Sequence, residues 1–524
     1  MPPAPRRSLI LIAVLAALSL CAHVCDGGVP LPNARQLEFL SQGVEGLGIT
    51  QFFHFGLPTY WDPPTPYLYS ANPTYHNCQT TTIDHGNQTG AFYPCLDPGI
   101  FAPTDLDTDD WMAAAAALGT REICLTAHHE GGFLLWPSNF SNYSVAASPR
   151  FRGGRGDVLR EFADAANRWG INICYYLNVA ADGYEAKVAK VDGSTFIAQQ
   201  QGMLREVLTR YGPVSRLWFD GTTDAPQGIN TTELWAQTYA TIRLLSPATL
   251  ISPYRGDICA STGTLYTSDG PAPNSSDASP CGKPSEGGAY FKPTEMHGIT
   301  AQMGPDGNTG TVPTYWFWHP WACAGNISGC PWVGHTNASR LFDSVIATVG
   351  HGAILNFNAP AERSGRMNAS LAAVMRQVGA ALNATFRAPP LAGVGATASA
   401  CAAPVVFDLP APGGQRFDYL VSMEDLAHGQ RIANYTIEYQ AVGGGPWRTL
   451  VPPVIKNATA TAGVGDRPDG HDPRDQYVGL RRIDVPIVDT AAAGIARLRF
   501  VCLRALEEPI YLRSVEARVK QVPW

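Results

Sequence analysis

Arg216-Leu217-Trp218-Phe219-Asp220-Gly221 lies near the middle of the 524-residue chain. The first four residues have the texture of a buried strand, and they run into an acid that ends on a glycine. A carboxylate at the end of a buried strand is a poor choice for stability, because its charge must be desolvated or paired. It is a good choice for chemistry. In a β/α barrel the C-terminal strand ends face the pocket where reactions occur, so an acid placed there reads as catalytic before it reads as structural.

Around this stretch, which makes residues 214–220 a strand, the chain alternates. Residues 49–56, 122–127, 171–177 and 249–252 also have strand character; 107–117, 157–169, 194–211 and 232–245 have helix character, with Asp107, Asp109 and Asp110 in a first turn where the helix dipole favours acids. Strands separated by segments of helix length are the mark of parallel β/α units. Residues 255–288, rich in Gly, Ser and Pro, read as an ordered loop excursion. Strand-like pieces return at 289–291 and 314–318, followed by a helix at 340–349, a last barrel strand at 352–358 and a closing helix at 368–382. Past Pro389 the texture changes to short alternating segments with Gly and Pro turns, which indicates an all-β module. The expected fold class is α/β: a (β/α)8-like barrel over 29–388, then a C-terminal β-sandwich over 389–524.

The first 28 residues are expected to lie outside that fold. Arg6-Arg7, an apolar run over 9–22 and small or polar residues up to Gly28 have the layout of a secretory signal peptide. The apolar run is shorter than the ~20 residues a spanning helix needs, so no membrane partner is expected once the signal is removed. Ten of the twelve cysteines remain after Cys21 and Cys25. Short separations favour Cys78 with Cys95, Cys259 with Cys281 and Cys323 with Cys330, and Cys401 with Cys502 would close the C-terminal module, although spacing alone does not fix connectivity. Cys124 and Cys174 sit inside apolar runs and are expected to be free and buried. Eleven Asn-x-Ser/Thr sites suggest N-glycosylation. These features point to a secreted protein, destined for the extracellular space or a vacuole. A net charge of −7 with 15% charged residues argues against nucleic acid as a partner.

Candidate chemistry gathers at the strand ends: His54 on the first, His128-His129 on the second, Tyr175-Tyr176 on the third, Trp218 and Asp220 on the fourth. Three imidazoles and a carboxylate could hold a catalytic zinc. Against that, successive residues on a strand point to opposite sides, so only one of His128 and His129 would face a given ion; no metal and no cofactor are expected. A sugar site uses the same parts differently. Imidazoles and phenols satisfy hydroxyl groups, an indole covers an apolar sugar face, and glycosidic cleavage takes two carboxyls on opposite sides of the scissile bond. Asp220 is one. For the other the candidates are Glu295, in Phe291-Lys-Pro-Thr-Glu-Met-His, and more weakly Glu286.

Several motifs in order then resemble one family. His54-Phe-Gly, Leu125-Thr-Ala-His-His-Glu-Gly-Gly-Phe, Leu135-Trp-Pro-Ser, Asp157-Val-Leu-Arg-Glu-Phe, Tyr175-Tyr176, Leu217-Trp-Phe-Asp-Gly and Leu355-Asn-Phe-Asn-Ala-Pro are similar to the catalytic domain of α-L-fucosidases, glycoside hydrolase family 29. The resemblance runs from about residue 40 to 385. It implies a retaining exo-glycosidase acting on fucosylated glycans without a metal, with Asp220 as nucleophile. It also implies His54, His128, His129, Tyr175 and Trp218 as fucose contacts. In the branch acting on α1,3/4-linked fucose the acid/base is a Glu in a Pro-x-Glu segment, which falls on Glu295. The chain departs from the pattern in two places: His-His-Glu-Gly-Gly-Phe stands where the family has His-His-Asp-Gly-Phe, and the interval from Asp220 to Glu295 is long. A barrel that has kept its sugar site and lost activity, or a metal-dependent hydrolase, are the alternatives.

Overall fold

The computed structural model describes residues 29, 31–45, 47–60, 96–180, 184–185, 189, 191–220, 228–252, 256–261, 274–275, 290–291, 293–300, 316–318, 336–410, 415–453, 478 and 480–524. Eight strands form one all-parallel sheet: β1 (Ile49–Phe53), β2 (Glu122–His128), β3 (Asn172–Leu177), β4 (Val214–Phe219), β5 (Leu250–Ser252), β6 (Cys259–Ser261), β7 (Thr294–Thr300) and β8 (Ile354–Asn358). Their order is β5-β4-β3-β2-β1-β8-β7-β6. The gap between β5 and β6 is crossed by backbone hydrogen bonds from Asp257 and Ile258 to the Ile251 carbonyl, at 2.7 and 3.2 Å. The expected (β/α)8-like barrel is present, and its strands follow the expected order up to β5.

Helices cover the outside. Thr108–Leu118, Val158–Trp169, Gly193–Arg210, Thr231–Leu245, Ala338–Val349 and Ala369–Leu382 each begin on an Asp or Asn whose side chain accepts a first-turn amide. These caps satisfy donors that would otherwise be orphaned at the helix start. Strand residues alternate between two environments. Ile123, Leu125, Ile173, Tyr175, Leu177 and Leu217 belong to the main hydrophobic core between strands and helices. Phe52, Cys124, Cys174, Tyr176 and Trp218 form a separate buried cluster, so the period of two divides helix-facing from barrel-facing positions.

A helix that the sequence did not announce, Ala34–Glu45, lies across the N-terminal end of the barrel. Its Phe39 and Leu40 pack with Leu250, Ile258 and Ile354. The bottom of the barrel is thereby plugged, and chemistry is confined to the opposite rim.

The C-terminal module is a β-sandwich, as expected. One antiparallel sheet contains Tyr419–Glu424, Arg482–Asp484 and Ile510–Arg518, with Ala392–Val394 and Thr397–Ser399 along the last of these; the other contains Val405–Asp408, Ile432–Ala441, Arg448–Val451 and Ile495–Ala505. Cys401 and Cys502 are disulfide-bonded. Cys124 and Cys174 are also bonded, contrary to the expectation of free thiols: β2 and β3 run in parallel register with Cys124 directly beside Cys174, and both side chains face the barrel interior. Apolar flanking sequence shows that a cysteine is buried, and it says nothing of which residue stands opposite on the next strand. The other three expected pairs involve residues outside the described ones.

Candidate active site

His54, His129, Tyr176, Trp218 and Asp220 meet at the C-terminal rim. Asp220 directly follows β4 and is half-buried. The phenol of Tyr176 donates to its Oδ2 at 2.7 Å. Burial, first, and then the negative charges of Asp220 and Glu130 push the Tyr176 hydroxyl well above its ordinary value, so it remains a protonated donor. The rings form a continuous stack, with Trp218 on Tyr176 at 5.4 Å and 10° between planes, and Tyr176 on His129 at 5.1 Å and 8°. Phe52 meets the Trp218 ring edge-on at 5.2 Å. A carboxylate beside a wall of flat faces suits a sugar ring, which presents an apolar face and needs an acid at its anomeric carbon.

His54 stands opposite, with its ring 5.8 Å from His129 and 6.0 Å from Tyr176. Its Nδ1 lies 2.7 Å from Asn358 Oδ1, and the Nδ2 of Asn358 donates to the Trp316 carbonyl at 2.8 Å. That second bond fixes the amide so that its oxygen faces the ring, which assigns the proton of His54 to Nδ1. Trp316 leans over His54 at 5.0 Å, and Phe317 meets both His54 and His129 at 5.3 and 5.1 Å.

Two of the sequence assignments, Tyr175 and Glu295, change in position or role. Tyr175 points the other way: it is fully buried, its hydroxyl donates to the Tyr211 carbonyl at 2.9 Å, and its ring packs on Phe162 of a covering helix. The barrel-facing phenol is Tyr176. His128, 1% exposed, is the last residue of β2 and its carbonyl accepts from the Asn178 amide; the next residue, His129, stacks its ring on Tyr176.

Glu295 is the largest change. It is the second residue of β7, paired in register with Ile354 at the start of β8, so it stands at the N-terminal end of its strand, on the floor of the barrel. It is 0% exposed and ion-paired with Arg216, and it accepts hydrogen bonds from Trp218 Nε1 and Asn356 Nδ2, both at 3.0 Å. A carboxylate held against a guanidinium and closed off from the rim does not suit the role of a proton donor to a leaving group. Glu286 lies outside the described residues. Asn358, Trp316 and Phe317 were given no contact role by sequence, although Asn358 lies in the Leu355-Asn-Phe-Asn-Ala-Pro motif and its spacing from Asn356 places both on one face of a strand. Among the described residues no three His, Cys, Asp or Glu side chains come together as a metal site.

The comparisons with known proteins agree on one family. A family model described as alpha-L-fucosidase matches residues 47–282. The chain is 32% identical to "Putative alpha-L-fucosidase 1" of Oryza sativa subsp. japonica over 386 residues, 68% of this chain and 62% of the rice protein, so it spans less than two thirds of that relative. Among solved structures, it is similar to a glycoside hydrolase 29 family member from an unknown rumen bacterium, with TM-score 0.66, 24% identity and coverage of 94% of this chain and 78% of that one. It is also similar to a Ruminococcus gnavus GH29 fucosidase in complex with fucose, with TM-score 0.67, 17% identity and coverage of 95% and 96%. Those two likenesses carry the fold. Together with the matched motifs, the family model and the rice relative agree on one assignment: residues 47–282 of this chain match the α-L-fucosidase family.

Proposed function

We propose that the chain is a retaining exo-glycosidase that removes terminal α-L-fucosyl residues from fucosylated glycans, with Asp220 as the nucleophile. The observation that carries this is the rim carboxylate of Asp220, held at 2.7 Å by Tyr176 beside the faces of Trp218, Tyr176 and His129. An Asp220 oxygen attacks the anomeric carbon while the glycosidic bond breaks, its electron pair leaving on the aglycone oxygen with a proton from a second carboxyl. Water then attacks the fucosyl-enzyme, gives up its proton to that carboxyl, and releases fucose and Asp220. The second carboxyl must stand about 5–5.5 Å from the first in a retaining pair, a position for which the floor residue Glu295 is unsuited and for which Glu286 is the residue to substitute first. His54 and His129 would bind sugar hydroxyls, with His128 completing that end of the pocket.

The test is covalent. A 2-fluoro-fucosyl reagent with an activated leaving group should inactivate the enzyme and label the peptide carrying Asp220, and Asp220→Ala should lose at least about a thousandfold in kcat on an aryl α-L-fucoside. A label elsewhere, or a variant with wild-type turnover, refutes the assignment. We also propose that the protein is secreted and N-glycosylated. In support, Asn139, Asn142, Asn230, Asn337 and Asn383 are exposed, whereas the Nδ2 of Asn368 is engaged with Glu362 at 2.7 Å. Glycopeptide mapping should find the first group occupied more fully than Asn368.

A further inference from the structure

We propose that Glu295 is a positioning residue: from the barrel floor it fixes the indole of Trp218 and, through that ring, the phenol that donates to Asp220. This rests on the reading of Asp220 as the reacting carboxylate.

Barrel floors are ordinarily filled by branched apolar side chains. Here the floor holds two carboxylates and a guanidinium, Glu122, Arg216 and Glu295, which are 1%, 0% and 0% exposed. Arg216 Nε donates to Glu122 at 2.7 Å while its other arm meets Glu295. The ring of Phe39, from the helix that plugs the barrel, lies 5.4 Å from the guanidinium carbon. Such a trio is expensive to desolvate and often adds less stability than apolar packing of the same volume, so stability alone is a weak account of it.

Its connections supply a better one. The two oxygens of Glu295 are divided: Oε2 takes Arg216 and the Thr50 hydroxyl at 3.4 Å, and Oε1 takes Asn356 and the Trp218 indole at 3.0 Å. With Glu295 paired to Arg216 and anchored on β8 by Asn356, Oε1 is a fixed acceptor that sets the depth and rotation of the indole. On Trp218 lies the Tyr176 ring, parallel to within 10°, and the hydroxyl of that ring reaches Asp220. Phe52, standing edge-on to both rings at 5.2 and 6.2 Å, closes the side of the stack. The path from charge trio to nucleophile is therefore two side-chain hydrogen bonds and one ring stack, all in contact.

The experiment compares kcat and KM on two aryl α-L-fucosides, one with a good and one with a poor leaving group, for wild type, Glu295→Gln, Trp218→Phe and the double variant. In Glu295→Gln the amide must turn its oxygen to Arg216, which sets its NH2 against the indole N–H and removes the acceptor. A hydrogen bond to a charged group is worth roughly a ten- to a hundredfold change, so kcat/KM should fall by about that factor, equally on both substrates and with the pH profile keeping its shape. Added to Trp218→Phe, which lacks the N–H, it should cost less than about threefold more. A loss confined to the poor leaving group with disappearance of the alkaline limb would overturn the proposal in favour of a proton donor, and losses that multiply in the double variant would overturn it too. If Glu295→Gln does not fold, 15N-tryptophan spectra of the wild type decide: the Trp218 indole proton, identified by its absence in Trp218→Phe, should be shifted downfield and slow to exchange, and an ordinary, fast-exchanging signal refutes the bond. Wild type that turns over no fucoside, or is labelled away from Asp220, would sink the functional reading itself, whatever Glu295 does.

Discussion

Tyr175 and Tyr176 are adjacent phenols with opposite surroundings, and they make a matched pair of experiments. Tyr176→Phe removes the hydrogen bond to Asp220 and leaves the ring stack in place. Because that bond is to a carboxylate, kcat/KM on an aryl α-L-fucoside should fall roughly ten- to a hundredfold while the melting temperature barely moves. Tyr175→Phe removes a bond to a backbone carbonyl among covering helices; it should cost about 1 kcal/mol of stability and leave kcat/KM within about a factor of two. Reversal of that pattern would mean that the strand is in the other register. The pair also marks how far residues are legible from sequence. Two tyrosines at a strand end show that one faces the pocket, since side chains alternate, but which one depends on register against β2 and β4, a long-range property. Asp220 escaped that ambiguity because a carboxylate would not be placed among the helices. Glu295 did not escape it: its strand begins at Thr294, so the acid stands at the opening of β7 and faces the floor, whereas the strand-like piece read at 289–291 placed it just past a strand end.

Packed elements carry their own tests. The helix Thr108–Leu118 is a run of alanines because its neighbour Ala369–Leu382 approaches so closely that a β-carbon at Gly379 would lie 1.8 Å from the Ala117 carbonyl oxygen. Helix propensity alone would favour alanine there. The clash should reverse the sign: Gly379→Ala should destabilise by about 1–3 kcal/mol, read as a lower denaturation midpoint at unchanged m-value. On the other side of the sheet, Cys124 and Cys174 tie adjacent strands across a separation of 50 residues. Closing a loop of that length is worth about 4 kcal/mol in the chain-entropy model, and replacing both residues with alanine should lose a comparable amount. Native protein should titrate with no thiol at these two positions, and reaction there without prior reduction would show the pair to be open. The alternation of strands and helices that produces these contacts was readable because amphipathic period and caps are local. The Ala34–Glu45 plug was not, since its function as a lid on the floor is set by the barrel that it closes.

At the scale of the whole molecule the barrel and the sandwich are fused through one core. Tyr419, Val421, Met423 and Ile483 of the module join the main hydrophobic cluster of the barrel, Phe386 meets Tyr419 at 5.7 Å, and the Ile483 amide donates to the Gly350 carbonyl at 2.8 Å. His351 sits on that seam, bridged through its backbone to Arg482. Burial, and then the positive charge of Arg482, lower its pKa from an ordinary 6.5 to about 4. The folded protein thus holds His351 neutral where the unfolded chain would protonate it, so the unfolded state binds the extra proton and gains from acid. Stability contributed by this residue is complete above about pH 6.5 and is lost as pH falls toward 4, at up to about 1.4 kcal/mol per pH unit. His351→Gln removes the titration while keeping a polar side chain of similar reach. Its melting temperature should therefore decline less steeply than that of the wild type between pH 6.5 and 4, with the two curves parallel above pH 7. Parallel curves throughout the acid range would place the titrating group elsewhere, and a steeper decline in the variant would show that His351 is charged in the fold.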